Sequence, residues 1–247
     1  IRFIENCCLL TFNRIVLPLL LPITVLGAAT LLLPYQALLP PSLAGILEYG
    51  PYLILAIVGS LSVAFNRGKV LLASVLFLSG YLVVNWLPDQ PGDQANIAAV
   101  SEFSLYALLP LNLALVGLYR ERGILSLHGC LRSAVILIQI AAVIALVIQP
   151  QPDLFVLLAG ELLALENAPW PALPLPASQL ILLILAVSVI GTVTTAYGHN
   201  TPLSFALLGA LGGYLLGLFN GESFSIYIMA ASLILCLGIL RDSYNNA

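Results

Sequence analysis

The residues able to do chemistry in this sequence are few, and most lie inside long apolar runs. Glu102 sits in the run 97–119 with Ser101, Ser104 and Tyr106 close by. A carboxylate at membrane depth costs free energy unless it is paired, hydrogen-bonded or wetted, so such an acid is a functional candidate by default. Asn85 and Trp86 stand near the end of the run 70–87, with Tyr81 one turn earlier. Glu102, Asn85, Tyr81, Trp86 and Tyr106 are therefore candidates for a ligand pocket in one half of a bilayer. The plainer reading of Glu102 is a solvated residue at a helix end.

Asn112 follows Pro110 in the same run, and Gln139 lies in the run 133–149. Proline removes a backbone donor and leaves a carbonyl without its partner, and Asn112 can take up such a group or bond a neighbouring helix. Asn112 and Gln139 are read as intramembrane polar packing, with a ligand or proton route as the other use. Gly209, Gly213 and Gly217 repeat every four residues, giving G-x-x-x-G twice on one helix face. Such a stripe lets helices approach closely in lipid, within one chain or between copies.

Catalytic signatures are absent. The sequence has no Walker loop, no G-x-G-x-x-G, no H-E-x-x-H and no G-x-S-x-G. Cys7, Cys8, Cys130 and Cys236 show no C-x-x-C pairing, so they read as small apolar side chains, with a metal or haem site built on His128 as the other use. His199, beside Gly198 and Asn200, reads as a turn residue. No cofactor or metal is expected, and the scattered basic residues give nucleic acid no electrostatic footprint.

The elements that must position these groups follow from composition. Of 247 residues, 61% are hydrophobic and 8% charged, with a mean hydropathy of +1.07. Soluble domains carry roughly 25% charged residues, so a soluble enzyme and a disordered polar chain are both excluded. A spanning helix needs about 20 mostly apolar residues. Eight runs qualify: 15–34, 49–65, 70–87, 97–119, 133–149, 179–197, 203–219 and 224–240. Stretches such as AVILIQIAAVIALVI are apolar all round, which favours helices over a β-barrel. The expected fold is all-α, a polytopic bundle of eight spans. The segment 154–167, with Glu161 at its middle, reads as a short interfacial or re-entrant helix on the outer side.

Eight spans place both termini on one side, together with Arg2, Arg14, Arg67, Lys69, Arg120, Arg122, Arg132 and Arg241, which are all the basic residues of the chain. Cytoplasmic loops carry the excess of Lys and Arg, so both termini are expected in the cytoplasm. The outer connections 35–48 and 150–178 are long, and the second combines closely spaced prolines with Trp170, as a headgroup anchor or a lid.

The ending carries a resemblance. After the last run come Leu240, Arg241, Asp242, Ser243, Tyr244, Asn245, Asn246 and Ala247, a polar, helix-compatible connector. In layout the chain resembles the N-terminal membrane sensor region of bacterial GGDEF-type diguanylate cyclases. There several spans lead into a short cytoplasmic helix just before the cyclase domain. The resemblance implies an input domain over 1–240 and the start of a connector over 241–247. It places the protein in a bacterial inner membrane, with output through Arg241, Asp242 and Tyr244. The family condenses two GTP into cyclic di-GMP with a catalytic domain that works as a dimer. The implied partners are the lipid bilayer, a second copy of the chain, and an unidentified small-molecule or lipid ligand. A small-solute transporter and a membrane enzyme or structural subunit remain alternatives.

Overall fold

The computed structural model describes residues 17–38, 40–91, 93–118, 124, 126–149, 202–219 and 223–245. The expectations for Cys7, Cys8, residues 150–178 with Glu161 and Trp170, the run 179–197 and His199 lie outside the described residues.

Every regular element among the described residues is helical. Helix α1, Leu17–Leu32, passes into a 3₁₀ turn at Leu33–Leu38. Helix α2 spans Pro41–Ala64. Its start corrects the expectation of a connection over 35–48. Two adjacent prolines suggest a loop, but Pro40 at φ −62°, ψ 148° has the extended backbone that precedes a proline. Pro41 then opens the helix at a position where its missing N–H is no loss.

A tight turn joins α2 to α3, Gly68–Asn85. Asn66 takes the left-handed backbone there, with φ 53°, a conformation asparagine adopts more readily than most residues. The Arg67 N–H closes the turn on the Ser62 carbonyl at 2.7 Å. After a 3₁₀ turn at Leu87–Asp89 comes a helix in three parts: α4 at Gln94–Phe103, a π-helical turn at Ser104–Leu108, and α5 at Leu109–Leu118. The Asp93 side chain caps its start by accepting from the Ala95 N–H at 3.1 Å. Helix α6, Leu127–Ile148, begins on a similar cap, with the Ser126 hydroxyl accepting from the Gly129 N–H at 3.0 Å. Helices α7, Pro202–Phe219, and α8, Phe224–Asn245, complete the described elements. The last of these runs through Leu240 into the polar connector without a break.

Five of these helical stretches are long and apolar enough to cross a membrane: Gly45–Ala64, Gly68–Asp89, Gln94–Gly117, Gly129–Ile148 and Phe224–Tyr244. Leu20–Gln36 and Leu203–Leu218 are apolar but shorter. Side chains such as Leu31, Ile138 and Ile148 stand exposed, which suits hydrocarbon rather than water.

Helices α7 and α8 form the most extensive contact, α8 also packs on α2 and α1, and α3 lies against α2 and α5. A row of aromatic rings ties these helices together. Tyr52 meets Tyr81 edge-on at 5.0 Å, Tyr81 stacks on Phe224 at 6.3 Å, Phe224 meets Tyr214 at 5.9 Å, and Tyr214 lies 5.8 Å from Phe77. Pairs at such centroid separations add to what burial alone supplies.

Candidate functional site

The π-helical turn creates a local problem in the backbone. At its end the Leu109 N–H reaches back five residues to the Ser104 carbonyl. The next donor in that register would be residue 110, reaching Leu105, but Pro110 has no N–H. The buried Tyr214 of α7 supplies the missing donor, and its hydroxyl donates to the Leu105 carbonyl at 2.8 Å. Gly80 of α3 leaves room for this arrangement. A Cβ on Gly80 would stand 2.6 Å from Leu109 Cδ1 and 3.4 Å from the Tyr214 ring. Upstream, the hydroxyls of Ser101 and Ser104 donate to the Ile97 and Val100 carbonyls, each at 2.7 Å. Such back-bonding to position i−4 often bends a helix.

One turn beyond Pro110, Asn112 Nδ2 donates to the Leu108 carbonyl at 2.8 Å and to Gln139 Oε1 of α6 at 2.6 Å. A carbonyl only accepts, so the Asn112 nitrogen must face Leu108 and Gln139 must present its oxygen to it. This leaves Asn112 Oδ1 as a spare acceptor and Gln139 Nε2 as a spare donor among the described residues.

Asn112 and Gln139 lie on the wall of a cavity of about 150 Å³ between α3, the π turn, α5 and α6. The rest of its wall is largely apolar, with Leu105, Leu108, Ile140, Val143 and Trp86 among the lining residues. A second cavity, about 140 Å³, lies further along α5 and α6, where Asn112 meets Val116, Leu131 and Arg132. The two helices run antiparallel, so Asn112 stands where one cavity gives way to the other. At the far end of α6, the Asn96 side chain donates to the Leu146 carbonyl at 3.4 Å.

The five residues considered for an outer-half pocket are not gathered around this cavity. Of them only Trp86 lines it. Tyr81 is buried on α3, its hydroxyl 3.0 Å from the Glu48 carbonyl, to which it donates, and 3.2 Å from Ser225 Oγ. Asn85 donates to the Tyr81 carbonyl at 2.9 Å and is exposed. Glu102 is exposed just before the π turn, and Tyr106 is half-buried within it. Sequence reasoning missed Tyr214. The available signal was a hydroxyl-bearing ring inside a glycine-rich span, in a chain with a proline-interrupted helix to satisfy.

The glycine stripe is filled from within the chain. A Cβ on Gly209 would overlap the ring of Pro22. On Gly213 it would stand 2.9 Å from Leu26 Cδ2, and on Gly217 2.9 Å from Phe224 Cδ2. The stripe thus seats α1 and α8 against α7.

A polar cluster lies where the α2–α3 turn meets the end of α8. The Arg67 guanidinium contacts the Asp242 carboxylate at 2.7 Å, with side-chain exposures of 22% and 5%. Asn66 Oδ1 accepts from the Ile124 N–H at 2.9 Å, and Lys69 Nζ donates to the Gly117 carbonyl at 3.2 Å. The turn and the first residues of α3 therefore hold the end of α5, Ile124 beyond it, and the end of α8. Arg241 is half-buried and Tyr244 is 84% exposed. Cys130 is exposed and Cys236 half-buried, both as free thiols. Among the described residues no three His, Cys, Asp or Glu side chains come together as a metal site would require.

Comparison with protein-family models, curated proteins and solved structures finds no match to this chain.

Proposed function

We propose that the chain is the membrane-embedded input module of a signalling protein. In this reading eight spans cross a bacterial inner membrane with both termini in the cytoplasm. The module responds to a ligand from the membrane or its outer side. Its output passes through α8 to a cytoplasmic domain of the GGDEF type that makes cyclic di-GMP. The observation that carries the reading is the seating of α8. It continues unbroken to Asn245, and its polar end is gripped through Asp242 by Arg67 of another helix turn. A helix held at that point can deliver a shift or rotation as one rigid element. A ligand that binds one arrangement better than the other needs only a few kcal/mol of difference to bias it.

The test uses the full-length protein, with one to four alanines inserted after Leu240 and cyclic di-GMP production measured. Each inserted residue rotates the downstream chain by about 100° and advances it by about 1.5 Å. Output should rise and fall with helical phase. Constant output and constant response across all four insertions would sink the mechanism, and a gene with no cytoplasmic domain after residue 247 would sink the reading itself.

A second reading, transport of a small solute, has one observation in its favour: the two cavities met by Asn112 along α5 and α6. Solute flux into vesicles holding the purified chain would favour it over the first.

A further inference from the structure

We infer that the cavity beside Asn112 and Gln139 binds an uncharged, ring-sized apolar molecule bearing a hydroxyl, which it takes from the membrane. The inference goes beyond the signalling reading and stands or falls without it, because it concerns binding alone.

Three features fix the ligand class. The first is size. A pocket of about 150 Å³, partly open to its surroundings, has room for one ring, since a closed core cavity of that volume accepts benzene. The second is polarity. The wall is apolar except at a few points such as Ser104, Asn112 and Gln139. The Ser104 hydroxyl already donates to the Val100 carbonyl at 2.7 Å. Asn112 and Gln139, fixed by their bonds to Leu108 and to each other, retain one acceptor and one donor. A hydroxyl can satisfy both, giving its proton to Asn112 Oδ1 and accepting from Gln139 Nε2. An ionised ligand has no counter-ion among the cavity's lining residues, and a charge in apolar surroundings without one is costly. A pure hydrocarbon would leave Asn112 Oδ1 and Gln139 Nε2 unanswered. The third is the wall itself. The π-helical turn at Ser104–Leu108 contributes Ser104, Leu105 and Leu108 to the lining. Turns of this kind widen a helix locally and recur at functional sites. Here the widened turn is stabilised from outside the cavity by Tyr214, so its shape does not depend on the ligand.

The test uses the purified chain in lipid nanodiscs and two probes of nearly equal shape, 4-fluorophenol and 4-fluorotoluene, followed by ¹⁹F NMR against protein-free nanodiscs. Saturable binding of 4-fluorophenol is expected, at least about fivefold tighter than 4-fluorotoluene, the margin one or two net hydrogen bonds supply. In Gln139→Met, which keeps length and removes the donor, the preference should shrink to within about twofold while toluene binding persists. Val143→Trp, and Ile140→Phe as a milder filling, should weaken both probes without changing the helical circular dichroism. Absence of saturable phenol binding in the native chain, as when lipid tails alone enter the cavity, overturns the inference. So does equal affinity for the two probes, or a preference that survives Gln139→Met.

Discussion

The Tyr214 hydroxyl stands 2.8 Å from the Leu105 carbonyl, in the place that Pro110 denies to a backbone donor. Residues 109 positions apart in sequence thereby share one hydrogen-bond problem. The side chain of α7 completes the ladder of the α4–α5 helix at its widest turn.

That relationship predicts a non-additive pair. Tyr214→Phe strands a buried carbonyl and should cost about 1–3 kcal/mol of stability. Pro110→Ala restores an N–H, which satisfies the ladder in either the α or the π register. In that background Tyr214→Phe should cost about 0.5 kcal/mol or less, a coupling typical of groups in contact. Reversible unfolding in mixed micelles measures all four corners of the cycle. Simple additivity would show that the two residues do not serve the same carbonyl.

The Arg67–Asp242 contact predicts an asymmetry. Asp242 is 5% exposed and Arg67 22%. Arg67→Ala takes a charged partner from a nearly buried carboxylate, whereas Asp242→Ala leaves a longer side chain that still reaches solvent. Losing a partner costs a buried charge up to about 3–5 kcal/mol when it is left uncompensated, less where a further interaction remains as at Asp242, and costs the more exposed partner less still. Arg67→Ala should therefore be the more destabilising, and the proposed signalling function adds that it should disturb output in the full-length protein. Equal losses in unfolding experiments would count against the grip on α8.

Two glycines in helices should respond oppositely to alanine. A Cβ on Gly27 would meet no atom within 4 Å, while one on Gly209 would face the rigid ring of Pro22. Gly27→Ala should stabilise by about 0.5–1 kcal/mol through helix preference. Gly209→Ala should destabilise by about 1–3 kcal/mol as α1 is pushed from α7. Matching thermal shifts for both variants would contradict this packing.

The proposed topology predicts which sites face outward. In a background with the native cysteines replaced, Asp89→Cys should react with an impermeant maleimide in intact cells. Phe65→Cys, exposed at the α2–α3 turn, should react only after the membrane is opened. Labelling of Phe65→Cys in sealed cells would reverse the orientation.

Much of the architecture was legible because apolar run length is a one-dimensional signal. The run 70–87 and the helix Gly68–Asn85 differ by two residues at each end. The start of α2 was hidden because a proline pair reads as a breaker, although one of the two also suits a first helical turn. The π turn was hidden for a deeper reason. Backbone register is not written in hydropathy, and one extra residue per turn rotates everything beyond it. Glu102 and Tyr106 lie before and within that turn, so a face projected from α-helical spacing does not carry through to Asn112. Asn112 and Gln139 were visible as polar residues at depth, but their bond required knowing which faces of α5 and α6 meet. The contact between Arg67 and Asp242 joins distant parts of the sequence, and no local pattern announces it.

The seating of Gly209, Gly213 and Gly217 has a consequence for studies of how copies of the chain associate. The most recognisable pairing motif in the sequence is already occupied by Pro22, Leu26, Phe224 and Tyr227 of the same protomer. Bulky substitutions along it should register as poor expression or misassembly of the single chain, and cross-linkers placed there should join α7 to α1 or α8. A genetic screen for altered self-association would find its informative positions on other faces, and hits on these three glycines would belong to the folding phenotype.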